Sequence, residues 1–350
     1  MNKKLINNIE STGLKIDILE KKMFILDQRE LPFKESWVQV RSTDHFIELV
    51  QSLAIRGAPL IGVCASFQLA LASYQKNMSI NELYQDAIKI KNARPTAVNL
   101  QWAIDRMLKE NPDLSSDKLI NTALNIYQED KVMCEELGNL GNTLIKDGDN
   151  ILTICNSGAL ATAGIGTALG VIINAHESGK KIHVYVPETR PLLQGARLTA
   201  WELQKKNIPF TLICDSMAAS LMQKEKIDKC FVGADRIAIN GDCANKIGTY
   251  SLAILCSFHK IPFYVVGPNS TVDFECKNGK DIPIEQRDKS EILGFKNSMG
   301  ELFWAQDKTL VYNPSFDVTP NHLITKIILN TGIFDSNKLT GKLSYGNNQK

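Results

Sequence analysis

The spacing of apolar residues changes character at the polar turn formed by residues 146–150. Before this turn, apolar positions recur at helical spacing and follow one early strand. After it, short apolar and β-branched runs alternate with helical segments, which is typical of a parallel sheet with crossover helices. The pattern predicts strands over 23–27, 151–155, 182–186, 210–214, 229–233, 262–266 and near 309–312. The predicted helices are 59–74, 97–109, 115–146, 158–178, 191–206, a short one ending at 223, 244–259 and 320–330.

These patterns predict a mixed α/β protein with two domains. We expect a mainly helical N-terminal domain with a small β element over 1–146, and an α/β catalytic domain with a parallel sheet over 147–335. Residues 336–350 are rich in Asn, Lys, Ser and Gly, and we expect them to form a loose polar tail.

Cys155 ends the apolar run that begins at Ile151, and the turn Asn156-Ser157-Gly158 and an Ala-rich segment follow it. This order predicts a buried strand, a tight turn and a helix N-terminus, where a thiol can become reactive. Polar or reactive side chains also stand at or just beyond the other strand ends. A parallel sheet collects these ends along one rim, where α/β proteins bind ligands. The rim residues are Cys155, Glu188, Asp215 and Asp235.

Composition narrows the classes of function. The chain has 350 residues with 40 Lys and Arg against 38 Asp and Glu, so the basic footprint of a nucleic-acid-binding protein is absent. Residues 151–175 carry no charge, but Asn156-Ser157-Gly158 and several glycines interrupt them, and we expect no membrane span. The eight cysteines show neither a C-x-x-C pair nor metal-ligand spacing, which favours a reduced cytoplasmic compartment and predicts no metal site.

Two arginines stand at predicted helix entrances. Arg56 precedes the small residues Gly57 and Ala58, which would let a phosphate approach the free amides of a helix N-terminus. An ordinary loop-to-helix junction with a solvated Arg56 fits equally well. Arg94 precedes Pro95 at a similar junction, and on its own this pattern favours a helix cap with an exposed arginine.

The segment after the second predicted parallel strand places Arg190, Gln194 and Arg197 on one helical face. That face could hold a phosphate or sugar hydroxyls, although Arg197 is better explained by a surface ion pair with Glu188 or Glu202. Asp215 is expected to cap its own helix.

Asp235 follows the apolar run Cys230-Phe231-Val232, and a carboxyl group at such a rim suits a general acid. A turn aspartate that accepts backbone hydrogen bonds is the alternative. Asn245 and Lys246, at the expected start of the next helix, would offer an amide and an ammonium to the same ligand.

Together these segments resemble the methylthioribose-1-phosphate isomerase family of methionine salvage. The resemblance covers nearly the whole chain except the tail. Its motifs are residues 26–32, 56–59, 94–100, 155–162, 188–200, 233–237, 245–250, 282–285 and 313–320. Two positions depart from the family pattern: Ile154 stands where a His is common, and Pro187 where an acidic or amide residue is common.

The resemblance implies a Rossmann-like C-terminal domain, a homodimer, and no metal or nucleotide cofactor. It implies that Cys155 and Asp235 are catalytic. It also implies substrate contacts from Arg56, Gly57, Ala58, Arg94, Gln194, Asn245 and Lys246.

The activity implied is an aldose–ketose isomerisation of 5-methylthioribose 1-phosphate, a small phosphorylated sugar, to 5-methylthioribulose 1-phosphate. Sister isomerases acting on 5-deoxyribose 1-phosphate or ribose 1,5-bisphosphate are the nearest alternative. The regulatory subunits of the translation-initiation guanine-exchange complex share the fold without being isomerases. Such a subunit need not keep Cys155, Asp235, Arg56 and Lys246 together, and all four are present here.

Overall fold

The computed structural model describes residues 8–75, 78–94, 98–297 and 300–339. The chain is a mixed α/β protein that divides into two compact units. The first unit comprises Met1–Met133 and Ala159–Gly164, and the second comprises Cys134–Gly158 and Ile165–Lys350. The predicted domain boundary at 146/147 stays a prediction.

The first unit contains an antiparallel meander of four strands and five helices, the last of which runs on into the second unit. The strands are β1 (Asn8–Glu10), β2 (Leu14–Asp17), β3 (Lys22–Leu26) and β4 (Trp37–Val40), paired in chain order. The helices are α1 (Thr43–Gln51), α2 (Ala58–Ala72), α3 (Ile80–Lys91), α4 (Val98–Glu110) and α5 (Ser116–Asn142). Only β3 and the helices α2, α4 and α5 correspond to elements that the pattern predicts.

Helix α2 is the centre of the first unit's core, because every residue from Leu60 to Ala72 is buried. Gly57 precedes the helix at φ +92°, a conformation that side chains with a Cβ rarely adopt. A methyl group at Gly57 would lie 2.4 Å from the Ala161 Cα atom, so a larger residue cannot occupy the position.

The segment Ala159–Gly164 is bonded into the first unit at three places. The Leu160 carbonyl accepts from Gln28 Nε2 at 2.8 Å, and the Ala161 carbonyl accepts from the Leu60 amide at 3.0 Å. The Ala163 amide donates to the Asp130 carboxylate at 2.6 Å. Backbone groups of an irregular segment thus obtain partners away from water, as burial requires.

The second unit is built on a seven-stranded sheet. Its first elements are β5 (Asn150–Leu152), α6 (Ala168–Glu177), β6 (His183–Pro187), α7 (Ala200–Lys205), β7 (Phe210–Ile213), α8 (Ala218–Gln223) and β8 (Lys229–Val232). Then come β9 (Arg236–Ala238), β10 (Cys243–Lys246), α9 (Thr249–His259), β11 (Phe263–Val266), β12 (Val272–Asp273) and α10 (Ser290–Leu293). The last are β13 (Gly294–Asn297), β14 (Gly300–Phe303), β15 (Phe316–Thr319), β16 (Lys326–Leu329) and β17 (Gly332–Phe334).

The order of the large sheet is β17-β16-β11-β8-β5-β6-β7, with all pairs parallel except β16–β17. A second sheet has the order β12-β9-β10-β15, and β13 and β14 form a hairpin. The prediction of a parallel sheet after the polar turn is confirmed. Among the described residues, no helix is long and apolar enough to cross a membrane.

Three predicted helices are wrong in part. Residues 158–167 form an open loop, because Gly158 and Gly166 approach closely and Gly166 has φ +107°, so α6 starts only at Ala168. The predicted helix over 191–206 starts at Gly195 with a π-helical turn. The predicted helix over 244–259 starts at Thr249, since residues 243–246 pair with β9 and β15.

The C-terminal predictions are also wrong. No strand forms at 309–312, and the predicted helix over 320–330 contains a short 3₁₀ turn and strand β16. The β-branched run Lys326–Leu329 pairs with β11 and is buried, which outweighs its helix-like spacing. Ser336 donates to the Asn321 and Ile324 carbonyls and Leu339 is buried, so the tail is not loose there. Residues 340–350 of the predicted tail lie outside the described residues.

The Asp130 carboxyl predicts a pH-dependent stability. Burial raises its pKa to about 7, so between about pH 4 and pH 7 the folded chain holds a proton that the unfolded chain has lost. Stability therefore falls as pH rises through this window, by at most about 1.4 kcal/mol per pH unit, and levels off above it. We expect Asp130→Asn to remove this slope.

Urea unfolding of both proteins at pH 5, 6, 7 and 8 measures the effect as the difference between their free energies of unfolding. A difference that is constant across this range would contradict the assignment of a raised pKa to Asp130.

Candidate active site

Three neighbouring strands of the large sheet deliver polar loops to one edge. The order β8-β5-β6 places the carboxyl ends of these strands side by side, and this confirms the adjacency that the sequence predicts. Cys155 follows β5 by three residues, and Asp235 follows β8 by three. A methyl group at Gly233 would lie 3.3 Å from Ser157 Cβ and 3.9 Å from Asn245 Oδ1. The loops that carry Cys155 and Asp235 therefore pack against each other and against strand β10, which carries Asn245.

Cys155 is half-buried and lies on an irregular loop, thirteen residues before the start of α6. Its φ of +61° is unusual for a residue with a side chain. The Cys155 amide donates to Thr189 Oγ1 at 2.9 Å, and its carbonyl accepts from Thr199 Oγ1 at 2.5 Å. Both bonds end on backbone atoms, so neither of them uses the Sγ atom.

Lys246 is a buried cation near the predicted catalytic residues in the sequence motifs. It ends strand β10 instead of starting a helix, and it is buried. Burial lowers the pKa of its ammonium, while the charges of Cys155 and then Asp235 act in the opposite direction.

Asn245 precedes Lys246 and is also buried. Its Nδ2 donates to Thr249 Oγ1 at 3.0 Å, and the Thr249 hydroxyl donates to the Lys246 carbonyl at 2.6 Å. Asp317 accepts from the amides of Gly248 and Tyr250 at 2.7 and 3.0 Å and so fixes the start of α9. Burial raises the pKa of Asp317 to about 6.

Gln194 lies directly before the π-helical turn Gly195–Thr199, and it is buried. Its Oε1 atom has no hydrogen-bond partner among the residues that the structure describes. Buried amide oxygens are rarely left in this state, and a ligand hydroxyl would satisfy it. π-Turns are frequent at functional sites, which agrees with this reading.

The predicted helical face of Arg190, Gln194 and Arg197 does not form, because Arg190 lies in the turn that precedes the helix. The Arg190 guanidinium stacks over the Trp304 ring and donates to the carbonyls of Pro191 and Ile292. Arg197 Nε donates to the Leu192 carbonyl at 3.0 Å.

The predicted cap at Asp215 is wrong as well. Its two carboxylate oxygens accept from the amides of Thr189 and Arg190, at 2.8 and 2.7 Å, and thereby order the loop after β6. Sequence reasoning missed the part played by Thr189 and Thr199. Their place in the motif 188–200 was the only available signal.

Four predicted substrate contacts belong to the first unit. Arg56, Gly57 and Ala58 form the entrance to α2, where Ala58 is its first residue. Arg94 is half-buried and follows the end of α3 by three residues. Their contact with substrate stays a prediction.

The chain is similar in sequence to proteins of known family. The chain belongs to the initiation factor 2 subunit family, whose sequence profile matches residues 54–336. It is 49% identical over 330 residues to the methylthioribose-1-phosphate isomerase of Cronobacter sakazakii, covering 94% of this chain and 96% of the relative. The resemblance seen in the motifs is thus confirmed.

Two solved structures extend the likeness to the fold. The 5-methylthioribose 1-phosphate isomerase of Pyrococcus horikoshii OT3 superposes with a TM-score of 0.86 at 38% identity, covering 97% of both chains. A structure described as the delta subunit of translation initiation factor eIF-2B, from A. fulgidus, gives 0.79 at 37% identity, covering 93% of this chain and 95% of the other.

Proposed function

We propose that the chain is an aldose–ketose isomerase that converts 5-methylthioribose 1-phosphate to 5-methylthioribulose 1-phosphate, a step of methionine salvage. The observation that carries the proposal is the packing of Gly233 against Ser157 and Asn245, which brings together the segments that hold Asp235, Cys155 and Lys246. The 49% identity to a relative named for this activity supports the choice of reaction.

The substrate sets the chemical problem. Its anomeric oxygen carries the phosphate, so the sugar cannot open to a free aldehyde. The bond from C1 to the ring oxygen must break, hydrogen must move from C2 to C1, and the phosphate must stay. An acid is needed to protonate the ring oxygen as its bond to C1 breaks, and we assign this role to Asp235. General acids of this kind contribute about 10²–10⁴-fold to the rate.

Cys155 is the proposed base. As a thiolate it would take the proton from C2 and, after exchange with solvent, return a proton to C1, while the C2 hydroxyl gives its proton to the Asp235 carboxylate and becomes a ketone. The alternative is a hydride shift from C2 to C1, in which the base takes the proton of the C2 hydroxyl. In D₂O the first route places deuterium at C1 and the second does not, so the isotope content of the product separates them.

Seven substrate-binding residues belong to the same proposal. In the second unit, Lys246 and Asn245 offer an ammonium and an amide, and the buried Gln194 amide oxygen would accept from a sugar hydroxyl. In the first unit, we assign contacts to Arg56, Gly57, Ala58 and Arg94 on the strength of the sequence motifs. No metal or nucleotide cofactor enters this scheme.

The finer fold description and the compartment belong to the same proposal. We infer a mainly helical N-terminal domain with a small β element and a Rossmann-like C-terminal domain, which the four-stranded meander and the large parallel sheet support. We infer a cytoplasmic location, because all eight cysteines are free thiols, as a reducing compartment favours.

Substitution of the proposed acid and base should abolish most turnover. We expect Cys155→Ser and Asp235→Asn each to lower kcat by about 10²–10⁴-fold, because each removes one proton-transfer group. Circular dichroism and thermal unfolding check that the variants are folded. The matched controls are the exposed Cys214→Ser and Asp307→Asn, which should keep turnover within about twofold. Near-normal turnover in either test variant would refute the role of that residue.

A substrate panel tests the reaction itself. Purified protein is assayed with the 1-phosphates of 5-methylthioribose and 5-deoxyribose and with ribose 1,5-bisphosphate. We expect kcat/KM to be highest for the methylthio sugar. A higher value for either of the others would assign the chain to a sister isomerase. No turnover on any of the three would favour a non-catalytic role in translation initiation, the process named for the A. fulgidus protein.

We further propose that the chain forms a homodimer through helix α9. The exposed side of this helix carries Tyr250, Ile254 and Phe258 at spacing i, i+4 and i+8, and Phe258 is 79% exposed. An apolar stripe of this kind on a surface helix is typical of an interface.

Light scattering at micromolar concentration tests the pairing. We expect Phe258→Glu to halve the measured mass, because a carboxylate would be buried in the interface. Ile80→Glu, an exposed apolar residue of the first unit, is the control and should leave the mass unchanged. A wild-type chain that runs as a monomer would end the dimer proposal without touching the reaction.

A further inference from the structure

The backbone conformation of Cys155 needs an external restraint. Its φ of +61° lies in the left-handed region, which residues with a Cβ atom avoid unless their surroundings over-determine it. Both peptide groups that flank its Cα atom are bonded to threonine hydroxyls, one from Thr189 and one from Thr199. These threonines are 1% and 0% exposed, so water does not compete for the two bonds.

Thr189 connects the Cys155 loop to two neighbouring loops. Its Oγ1 accepts from the Cys155 amide and donates to the Pro187 carbonyl at 3.1 Å, so both roles of the hydroxyl are used. Thr189 itself has φ +64°, and its amide is held by Asp215. The loops after β7, β6 and β5 are therefore linked in the order in which these strands lie in the sheet.

Thr199 restrains Cys155 from the other side. It ends the π-helical turn, and its hydroxyl donates to the Cys155 carbonyl while accepting from Asn156 Nδ2 at 3.2 Å. The Asn156 amide also donates to the buried Glu202 carboxylate at 2.8 Å. The residue after Cys155 is thus fixed by the same group of side chains.

We propose that Thr189 and Thr199 are positioning residues that hold the Cys155 backbone in its left-handed turn, so that the thiol is presented at a fixed place beside Lys246 and Asp235. The inference rests on the proposed function, in which Cys155 is the base. Neither threonine needs to touch substrate, because each acts on Cys155 through its peptide groups. Proton transfer depends on this placement, since a shift of about 1 Å at a reacting group can cost about a hundredfold in rate.

The experiment compares valine and serine at each threonine. Thr189→Val and Thr199→Val keep the shape and remove the hydroxyl, whereas Thr189→Ser and Thr199→Ser keep the hydroxyl. Thr319→Val is the matched control, because Thr319 is equally buried and its Oγ1 has no hydrogen-bond partner among the described residues. All variants carry Cys214→Ser, which removes the exposed cysteine and leaves Cys155 as the most accessible thiol.

Two readouts are measured on each protein: kcat and KM for the sugar phosphate, and the rate of Cys155 alkylation by iodoacetamide, followed by peptide mass spectrometry across pH 6–9. For both valine variants we expect kcat to fall about ten- to hundredfold with KM changed less than about threefold. Alkylation should become at least about threefold faster, because a loosened loop exposes the half-buried thiol. Both readouts should stay within about threefold of the parent in the serine variants and within about twofold in Thr319→Val.

Folded valine variants that keep both kcat and the alkylation rate of the parent would overturn the inference. If a valine variant does not fold, Asp215→Ala and Asn156→Ala test the same two connections from residues further out, and they should shift both readouts in the same direction. The two proposals fail separately. Normal turnover of Cys155→Ser would refute the catalytic role, while the alkylation rates would still report whether the threonines hold the turn.

Discussion

The parallel pairing of β8, β5, β6 and β7 is the constraint on which the rest of the candidate site depends. Adjacent strands lie about 4.8 Å apart, so loops that leave the same edge of the sheet are neighbours whatever their separation along the chain. This arrangement places the loops that carry Asp235, Cys155, Thr189 and Asp215 side by side, and Asp215 accepts from the Thr189 amide. Without this parallel pairing, the residues of the proposed site would not be neighbours.

Three residues at this edge of the sheet have a strained backbone. Cys155, Thr189 and Leu193 all have positive φ, and residues of this kind cost on the order of 1–3 kcal/mol each. The surrounding structure offsets this cost with hydrogen bonds to hydroxyl and carboxylate groups that are already out of water. Gly195 contributes in another way, since a methyl group there would lie 1.9 Å from the Pro187 carbonyl oxygen. The loop after β6 therefore folds tightly only with glycine at this position.

The sequence predicted the parallel strands and the positions of Cys155 and Asp235 near their ends, because buried apolar runs are visible in local spacing. Prediction from the sequence failed where one composition is compatible with two different structures. The Ala- and Gly-rich stretch after Cys155 suits a helix as well as a closely packed loop, and only the approach of Gly158 to Gly166 decides between them. Strand β10 was hidden because its partner β15 lies about seventy residues away, beyond the reach of periodicity. The hydrogen bonds of Thr189 and Thr199 to Cys155 join segments that are distant in the chain, and the spacing of apolar residues does not reveal them.

The short segment Ala159–Gly164 makes the two units inseparable along the chain. The backbone passes from one unit to the other after Met133, Gly158 and Gly164. No single cut in the chain separates the two units completely. A fragment that begins at Cys134 would contain the Leu160 and Ala161 carbonyls but would lack their hydrogen-bond donors on Gln28 and Leu60. Such a fragment would therefore leave the Leu160 and Ala161 carbonyls unsatisfied five and six residues after Cys155, so the loop that follows the proposed base is complete only in the whole chain.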